Sequence, residues 1–135
     1  DAPLTVMQTL QMDGFVAVTT PQALAALDAK RSINMVRKLN VEVLGVVENY
    51  TGDIFGSGAG QQLADEMDLA YFGSLQLRPD YRDSQKPTVL VSTAVAEEYD
   101  AIWAMMKARL TDLEVMPDQV AAALASDPDQ DEESK

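Results

Sequence analysis

Two β-prone, largely apolar runs separated by one helical pattern constrain the fold of this chain most strongly. The first run, Phe15–Thr20, follows a turn at Asp13-Gly14 and shows no polar alternation, which is typical of a strand covered on both faces, as in parallel sheets. The second run, Val41–Asn49, has the same β-prone character. A strand, a helix and a strand at this spacing predict a right-handed parallel crossover.

The segment between the two runs is predicted to be a helix. Thr20 can cap it, and Pro21 occupies a first-turn position that tolerates proline. At about 100° per residue, one sector of this helix is apolar. The residues of that sector are Leu24, Leu27, Met35 and Leu39. Arg31 falls in the same sector, and we expect its stem to lie along the core with its charged head in water.

The alternation of strands and helices continues after Asn49. A glycine-rich loop leads into a short helix, and a third strand is predicted at AYFGSLQL, residues 70–77. An irregular connector and a fourth strand, PTVLVS at 87–92, are expected next. Together these elements predict an α/β fold with three layers, in which a mostly parallel sheet carries helices on both faces.

The last predicted helix, over 93–113, has the cleanest amphipathic pattern in the chain, and we interpret it as a core helix docked on the sheet. Its apolar face is formed by Val95, Tyr99, Ile102, Trp103, Met106, Leu110 and Leu113. We place a domain boundary near Asp112, so that residues 1–112 form the α/β domain. Residues 113–135 are then an acidic, partly disordered C-terminal extension with five carboxylates crowded into its last positions.

Composition excludes several classes of function. The sequence has no cysteine and no histidine, which removes thiolate nucleophiles, zinc fingers and ordinary iron–sulfur ligation, and no catalytic residue or metal site is predicted. A net charge of -12 opposes binding to nucleic acid or to anionic lipid. No apolar run approaches the roughly 20 residues of a membrane-spanning helix, and the first residues have neither a basic n-region nor a cleavage signature, so secretion is not suggested. A cytoplasmic location is therefore expected.

The glycine-rich stretch FGSGAG, residues 55–60, has the flexibility of a phosphate-binding loop but lacks the lysine and Ser/Thr that complete one. It also lacks the G-x-G-x-x-G form of a dinucleotide-binding fold. We interpret these glycines as permitting a tight entry into the following helix, with phosphate binding as the alternative.

Polar residues at strand ends are the other candidates for a site. Asn49 ends an apolar strand at the carboxyl edge of the sheet, where open α/β proteins bind ligands. Its amide presents a donor and an acceptor side by side, complementary to an adenine edge. The alternative is a purely local role in starting a turn. The acidic pairs Glu97-Glu98 and Asp65-Glu66 are interpreted as solvated.

The segments VTTPQ, LDA, INM, VLGVVEN and IFGSGAG, in this order, resemble the second half of an Mrp/ApbC-type P-loop ATPase. That family is related to MinD, ParA and the nitrogenase iron protein, and its members are implicated in carrying or assembling iron–sulfur clusters. The resemblance extends from Asp1 to about Leu110 and implies the C-terminal half of a P-loop NTPase fold. It also implies that the intact protein binds ATP and Mg²⁺ through a phosphate loop and an aspartate outside this sequence, so the chain alone is not expected to hydrolyse ATP.

The resemblance also implies a base-binding site. Asn49 resembles the asparagine that contacts adenine in the family, and GSLQLRPDYRDS occupies the place of the G-x-I-P-L-D-P segment beside the base. Gln76 stands where the family has proline and Arg78 where it has aspartate, with Leu77 between them. The predicted cofactor-binding residues are therefore Asn49, Gln76, Leu77 and Arg78.

A second departure from the family concerns the cluster. Many relatives carry Cys-x-x-Cys shortly after the Glu-Asn pair, whereas this sequence passes from ENYTGD directly to IFGSGAG. No iron–sulfur cluster is therefore expected on this chain. The resemblance implies a homodimer and an iron–sulfur apoprotein as client. The alternative hypothesis is a non-catalytic interaction or dimerisation module, which would use the sheet edge left open by the missing strands.

Overall fold

The structure is a computed structural model, and it describes residues 2–83 and 85–125, with side chains for 4–83 and 85–113. A single 3₁₀ turn at Pro79–Arg82 accompanies five helices and three strands within these ranges. In chain order the elements are α1 (Ala2–Thr9), β1 (Phe15–Thr19), α2 (Ala23–Lys38), β2 (Val43–Thr51), α3 (Ala59–Met67), β3 (Ala70–Gln76), α4 (Thr88–Val91) and α5 (Thr93–Ala125).

The three strands form one parallel sheet in the order β1-β2-β3. Thr19 is paired with Glu48, and Thr51 with Gln76, so the carboxyl ends of all three strands meet at one edge. The helices α2 and α3 make the two crossovers, as the strand–helix–strand spacing predicts. The parallel sheet is thus confirmed.

Helices cover both faces of the sheet, which confirms the three-layer arrangement. The first cluster lies between α2, α3 and the sheet. It contains Ala17, Ala29, Ile33, Val36, Val43, Val46, Leu63, Ala64 and Met67. The second cluster lies between α5 and the opposite face of β2 and β3. It contains Leu44, Val47, Phe72, Leu75 and Ile102. The central strand β2 is therefore buried from both sides, which explains its largely apolar sequence.

The predicted fourth strand is wrong. Residues Thr88–Val91 form one helical turn, in which the Leu90 N–H donates to the Pro87 carbonyl at 3.0 Å. A short apolar run does not by itself distinguish a strand from a helix, and Pro87 has no N–H to give to a strand ladder. The side chains of this turn remain largely in water, since Leu90 is 75% exposed.

The predicted inward face of α2 is also wrong in part. The helix buries Ala29, Ile33 and Val36, whereas Leu24 is 70% exposed and Leu27 is exposed as well. Arg31 does not lie along the core: its side chain is 71% exposed and approaches Asp28 at 3.7 Å. The inward stripe is therefore set by small and β-branched residues, which fit closely against the sheet.

The inward face of α5 is confirmed for most of its residues. Val95 and Ile102 are buried, and Met106, Leu110 and Leu113 pack against the second cluster. Tyr99 and Trp103 are exceptions, because both side chains are about half exposed.

The structure describes α5 as one continuous helix from Thr93 to Ala125. The boundary at residue 112 therefore falls within this helix and remains a prediction, and residues 126–135 of the expected extension lie outside the described residues. No helix of the described residues is long and apolar enough to cross a membrane.

Replacing Ile33 tests the position of the core. Ile33 is fully buried in the first cluster, so Ile33→Ala should lower the free energy of unfolding by about 2–5 kcal/mol. The matched control is Leu24→Ala, because Leu24 is on the same helix but its side chain is exposed to water. This substitution should change the free energy of unfolding by less than about 0.5 kcal/mol. Urea unfolding followed by circular dichroism measures both. Equal losses would mean that the helix is rotated relative to this structure.

Candidate functional site

The carboxyl edge of the sheet brings most of the predicted site residues together. Asn49 lies near the end of β2, two residues before Thr51. The Leu77 N–H donates to the Thr51 carbonyl at 2.9 Å, which ties the segment after β3 to the end of β2. Asn49, Gln76 and Leu77 therefore belong to one continuous edge, as the parallel topology requires.

Asn49 is half-buried, and its side chain already has a local partner. Its Oδ1 accepts the N–H of Tyr50 at 2.9 Å, and Tyr50 has a left-handed backbone with φ of 59°. This contact is the local role in a turn that was the alternative interpretation of Asn49. It stabilises the left-handed backbone of Tyr50, which is uncommon for a residue with a large side chain. A carbonyl oxygen can accept a second hydrogen bond, and the amide group carries two donors. The side chain thus keeps the capacity to bind a ligand.

Arg78 is held against helix α5 by an ion pair between two largely buried side chains. Its Nε donates to Glu98 Oε1 at 3.0 Å, and the two side chains are 26% and 18% exposed. Glu98 Oε2 accepts the backbone N–H of Gln76 at 2.9 Å. The expectation that Glu98 is solvated is therefore wrong, because this carboxylate fixes the segment after β3 to α5. The hydrogen bond to Glu98 raises the pKa of the Arg78 guanidinium, which stays charged.

The residue that organises the site, Glu48, was not among the predicted ones. It is fully buried at the end of β2. Its Oε1 and Oε2 accept the Gly58 N–H at 3.1 and 3.2 Å, and Oε2 also accepts the Gly60 N–H at 3.1 Å. Backbone N–H groups at the start of a helix attract an anion, and here the carboxylate of the same chain supplies it.

Packing around the glycine loop leaves little space beside this carboxylate. A Cβ at Gly60 would lie 2.7 Å from the Cβ of Glu48, closer than real contacts allow, and 3.1 Å from Glu48 Oε2. Gly58 has a φ of 106°, which residues with a Cβ rarely adopt. The loop is therefore built around Glu48, and the N–H groups that a phosphate would need are already occupied. This arrangement favours the interpretation of the glycines as a tight helix entry.

One signal in the sequence could have identified Glu48. It is the single charged residue of the strand VLGVVENYT, and a carboxylate inside a buried strand requires hydrogen-bonding partners. The glycine-rich helix start only a few residues later offers those partners.

Tyr71 lies beside Glu48 on the neighbouring strand. Burial raises the pKa of Tyr71 above its ordinary value of 10.0, the hydrogen bond with Ser74 lowers it, and the charge of Glu48 raises it. The phenol of Tyr71 is therefore neutral in the folded protein at neutral pH, and it lies beside the buried carboxylate of Glu48.

The loop after β2 is a closed turn. Gly52 and Gly56 exchange two backbone hydrogen bonds of 3.0 and 2.7 Å. Between them, Ile54 is 74% exposed and Phe55 is partly exposed. In the part of the chain that the structure describes, no three His, Cys, Asp or Glu side chains are grouped so that they could hold a metal ion.

A cavity of about 640 Å³ lies at the opposite, amino end of β2 and β3. Its two arginines already have partners: Arg37 donates to the Met67 carbonyl at 2.6 Å, and Arg109 pairs with Glu42 at 2.7 Å. The first contact connects α2 to the end of α3, and the second connects α5 to the residue before β2. Both arginines of the cavity thus have structural partners, and the cavity is remote from the predicted site.

Comparison with known proteins identifies one family. The family model of the ParA group described as NUBPL iron-transfer P-loop NTPase matches residues 1–110. An iron-sulfur cluster carrier protein of Methanocaldococcus jannaschii is 34% identical over an alignment of 116 residues, which covers 76% of this chain and 40% of that protein. A protein of the same name from Pseudomonas fragi is 40% identical over 103 residues, which cover 67% of this chain and 36% of that protein.

A eukaryotic relative is similar over a shorter stretch. The cytosolic Fe-S cluster assembly factor CFD1 of Candida glabrata is 40% identical over 81 residues, which cover 53% of this chain and 28% of that protein. The chain thus spans less than half the length of each of these three relatives.

Replacing Glu48 tests its role in the glycine loop. Glu48→Ala leaves the buried N–H of Gly60 without an acceptor, so the free energy of unfolding should fall by about 1–3 kcal/mol. The control Glu97→Ala removes an exposed carboxylate and should change stability by less than about 0.5 kcal/mol. Urea unfolding measures both, and amide exchange should show faster exchange at Gly58 and Gly60 in the first variant. Equal stability losses would contradict the assignment.

The titration of Tyr71 provides a second test of the same carboxylate. Because the pKa of Tyr71 is raised on folding, the stability that this proton contributes is fully present below pH 10 and is lost as pH rises through the folded pKa. In Glu48→Gln the pKa should move down, yet remain above 10.0, because burial is its largest cause. Phenolate absorbance with Tyr71→Phe as the reference assigns the signal. If the pKa of Tyr71 were unchanged in Glu48→Gln, the carboxylate of Glu48 would not lie beside the Tyr71 phenol, which would contradict this assignment.

Proposed function

The chain belongs to the ParA family of iron-transfer P-loop NTPases, and we propose from this premise that it forms the base-binding part of an ATP-dependent iron–sulfur cluster carrier or assembly protein. The resemblance to Mrp/ApbC-type ATPases is confirmed at the level of the family. The observation that carries the proposal is the position of Asn49 at the carboxyl edge of the central strand, beside the segment that follows β3.

The residues of this edge fit a purine base. Asn49 keeps two amide donors and a free lone pair on Oδ1, which suit the donor and acceptor atoms of adenine. Leu77 supplies apolar surface, and its backbone is fixed by Thr51. Glu98 fixes the backbone of Gln76 and the side chain of Arg78, so this wall is prearranged for a ligand.

The same edge does not fit a triphosphate. The N–H groups of Gly58 and Gly60 are taken by Glu48, and the sequence contains no Gly-Lys-Ser/Thr pattern that would hold the β- and γ-phosphates. Phosphoryl transfer depends on positioning and on positive charge around the phosphates. We therefore assign the phosphate loop and the Mg²⁺ site of the working protein to residues outside this sequence.

The chain also lacks the chemistry to hold a cluster. Iron–sulfur clusters are held mainly by thiolates, and this sequence contains neither cysteine nor histidine. We propose that its contribution is to the nucleotide-binding domain, that the working protein is a cytoplasmic homodimer, and that its client is an iron–sulfur apoprotein. The printed names of the relatives support the carrier or assembly role.

Nucleotide titration of the chain alone tests this division of roles. Because the phosphate-binding groups are absent, calorimetry with ATP should show weak binding, and addition of Mg²⁺ should leave the affinity unchanged. Adenosine should bind about as weakly as ATP, since only the base is contacted. Tight ATP binding that depends on Mg²⁺ would contradict the proposal. In an adenosine titration followed by NMR, the side-chain amide signals of Asn49 should shift, and Asn49→Ala should abolish the remaining shifts along the edge.

A further inference from the structure

Tyr50 has a backbone conformation that residues with large side chains rarely adopt. Its φ is 59°, in the left-handed region, where a Cβ lies too close to the following carbonyl oxygen. The ring contributes little to the core, because it is 47% exposed and belongs to neither apolar cluster. An energetically costly conformation at a candidate site, without a gain in packing, points to a function for the side chain.

A bulge in the sheet accounts for this conformation. The pairing of β2 with β3 passes from Glu48 and Ser74 directly to Thr51 and Gln76. The strand β2 thus advances by three residues while β3 advances by two, and one extra residue is accommodated next to Tyr50. Bulges of this kind bend a strand and redirect its side chains, and they are frequent beside active sites.

The bulge keeps the Tyr50 ring out of the layer between the sheet and its helices. Val46 belongs to the first cluster, and Glu48 accepts a hydrogen bond from the start of α3, so both side chains face α2 and α3. Regular alternation would place the side chain of Tyr50 on this same face. The ring is instead about half exposed, whereas the following residue, Thr51, is buried. The bulge therefore brings an aromatic ring to the surface at the carboxyl edge of the sheet.

Tyr50 and Asn49 are tied to each other by a hydrogen bond. The Tyr50 N–H donates to Asn49 Oδ1 at 2.9 Å, so the Asn49 amide and the Tyr50 backbone have a fixed relative orientation. The side chain that we propose to hydrogen-bond the base and an exposed aromatic ring are thus neighbours on one bulge. A base that is held at its edge by an amide still exposes two flat faces, and aromatic rings cover such faces by stacking.

We propose that Tyr50 stacks on the purine base whose edge is hydrogen-bonded by Asn49. This proposal rests on the function proposed above. Stacking depends on a flat π-system and not on the pattern of donors and acceptors around it. Tyr50 therefore supplies affinity for any purine, whereas Asn49 supplies the selection of adenine. The left-handed backbone is the conformation that brings the ring to this edge.

Substitution of Tyr50 tests the proposal with adenosine as the ligand. Asparagine adopts the left-handed region readily, so Tyr50→Asn should keep its urea midpoint, while its dissociation constant for adenosine in an NMR titration should rise at least about fivefold. Tyr50→Phe retains the ring and should stay within about twofold of the unsubstituted chain. The control Trp103→Gln removes an exposed aromatic side chain from α5 and should leave the constant unchanged. Equal effects of Tyr50→Asn and Trp103→Gln would overturn the proposal.

Inosine separates stacking from a role in positioning Asn49. This nucleoside keeps the purine ring system but presents a different hydrogen-bonding edge. Because stacking is insensitive to the edge, Tyr50→Asn should weaken the binding of adenosine and of inosine by the same factor. The ratio of the two dissociation constants should therefore remain that of the unsubstituted chain. A changed ratio would mean that Tyr50 acts by orienting the Asn49 amide, and it would contradict stacking.

The unsubstituted chain provides a measurement that does not depend on how a variant folds. In its complex with adenosine, the base protons should shift upfield through the ring current of Tyr50 and show nuclear Overhauser effects to its ring protons. If adenosine shifts the Asn49 amide signals without these effects, stacking is rejected and the proposed function is retained. If adenosine does not bind, both are rejected. Self-association that is lost in Tyr50→Asn, with adenosine affinity unchanged, would assign the ring to a contact between copies and overturn the inference.

Discussion

The hydrogen bonds from the glycine loop to the buried carboxylate of Glu48 are the interaction on which the rest of the site depends. They join the end of β2 to the start of α3, and they satisfy a charge that would otherwise be costly inside the sheet. Because the acceptor is internal, the helix start is fully formed without a ligand. The same contacts hold the residues on either side of Glu48 in place, among them Asn49 and the closed Gly52–Gly56 turn.

This arrangement separates two tasks that phosphate-binding loops combine. In a P-loop, backbone N–H groups and the helix N-terminus face an external anion. Here the equivalent groups face inward, and what remains at the carboxyl edge is an amide, an apolar side chain and a fixed backbone segment. Such an edge suits the flat, polar base that we propose as its ligand, whereas it has no concentrated positive charge for a triphosphate. The position of this site at the carboxyl ends of parallel strands follows from the topology alone.

The sequence predicts the sheet, its parallel order and the layers because apolar periodicity reports directly on burial. It fails where burial depends on partners distant in the chain. The run 87–92 is apolar but finds no strand beside it within the described residues, and it forms a helical turn. Leu24 matches the helical period, but it lies on a different side of α2 from the buried residues Ala29, Ile33 and Val36 and is 70% exposed. In the sequence, Glu48 and Glu98 cannot be distinguished from solvent-exposed acids. Their hydrogen-bond donors, in the glycine loop and at the end of β3, come close to them only in the folded chain.

Electrostatics gives an independent reason to place the phosphate chemistry elsewhere. The chain has a net charge of -12, so a triphosphate approaching it is repelled at long range. Arg78, a cation within the segment after β3, is already compensated by Glu98 at 3.0 Å. To free this guanidinium for a phosphate would leave Glu98 Oε1 without its cationic partner, with only the Gln76 N–H still bonded to the carboxylate through Oε2, so the cost would fall on the segment that we propose to bind the base. In the function that we propose, the positive charge for phosphoryl transfer therefore comes from residues outside this edge.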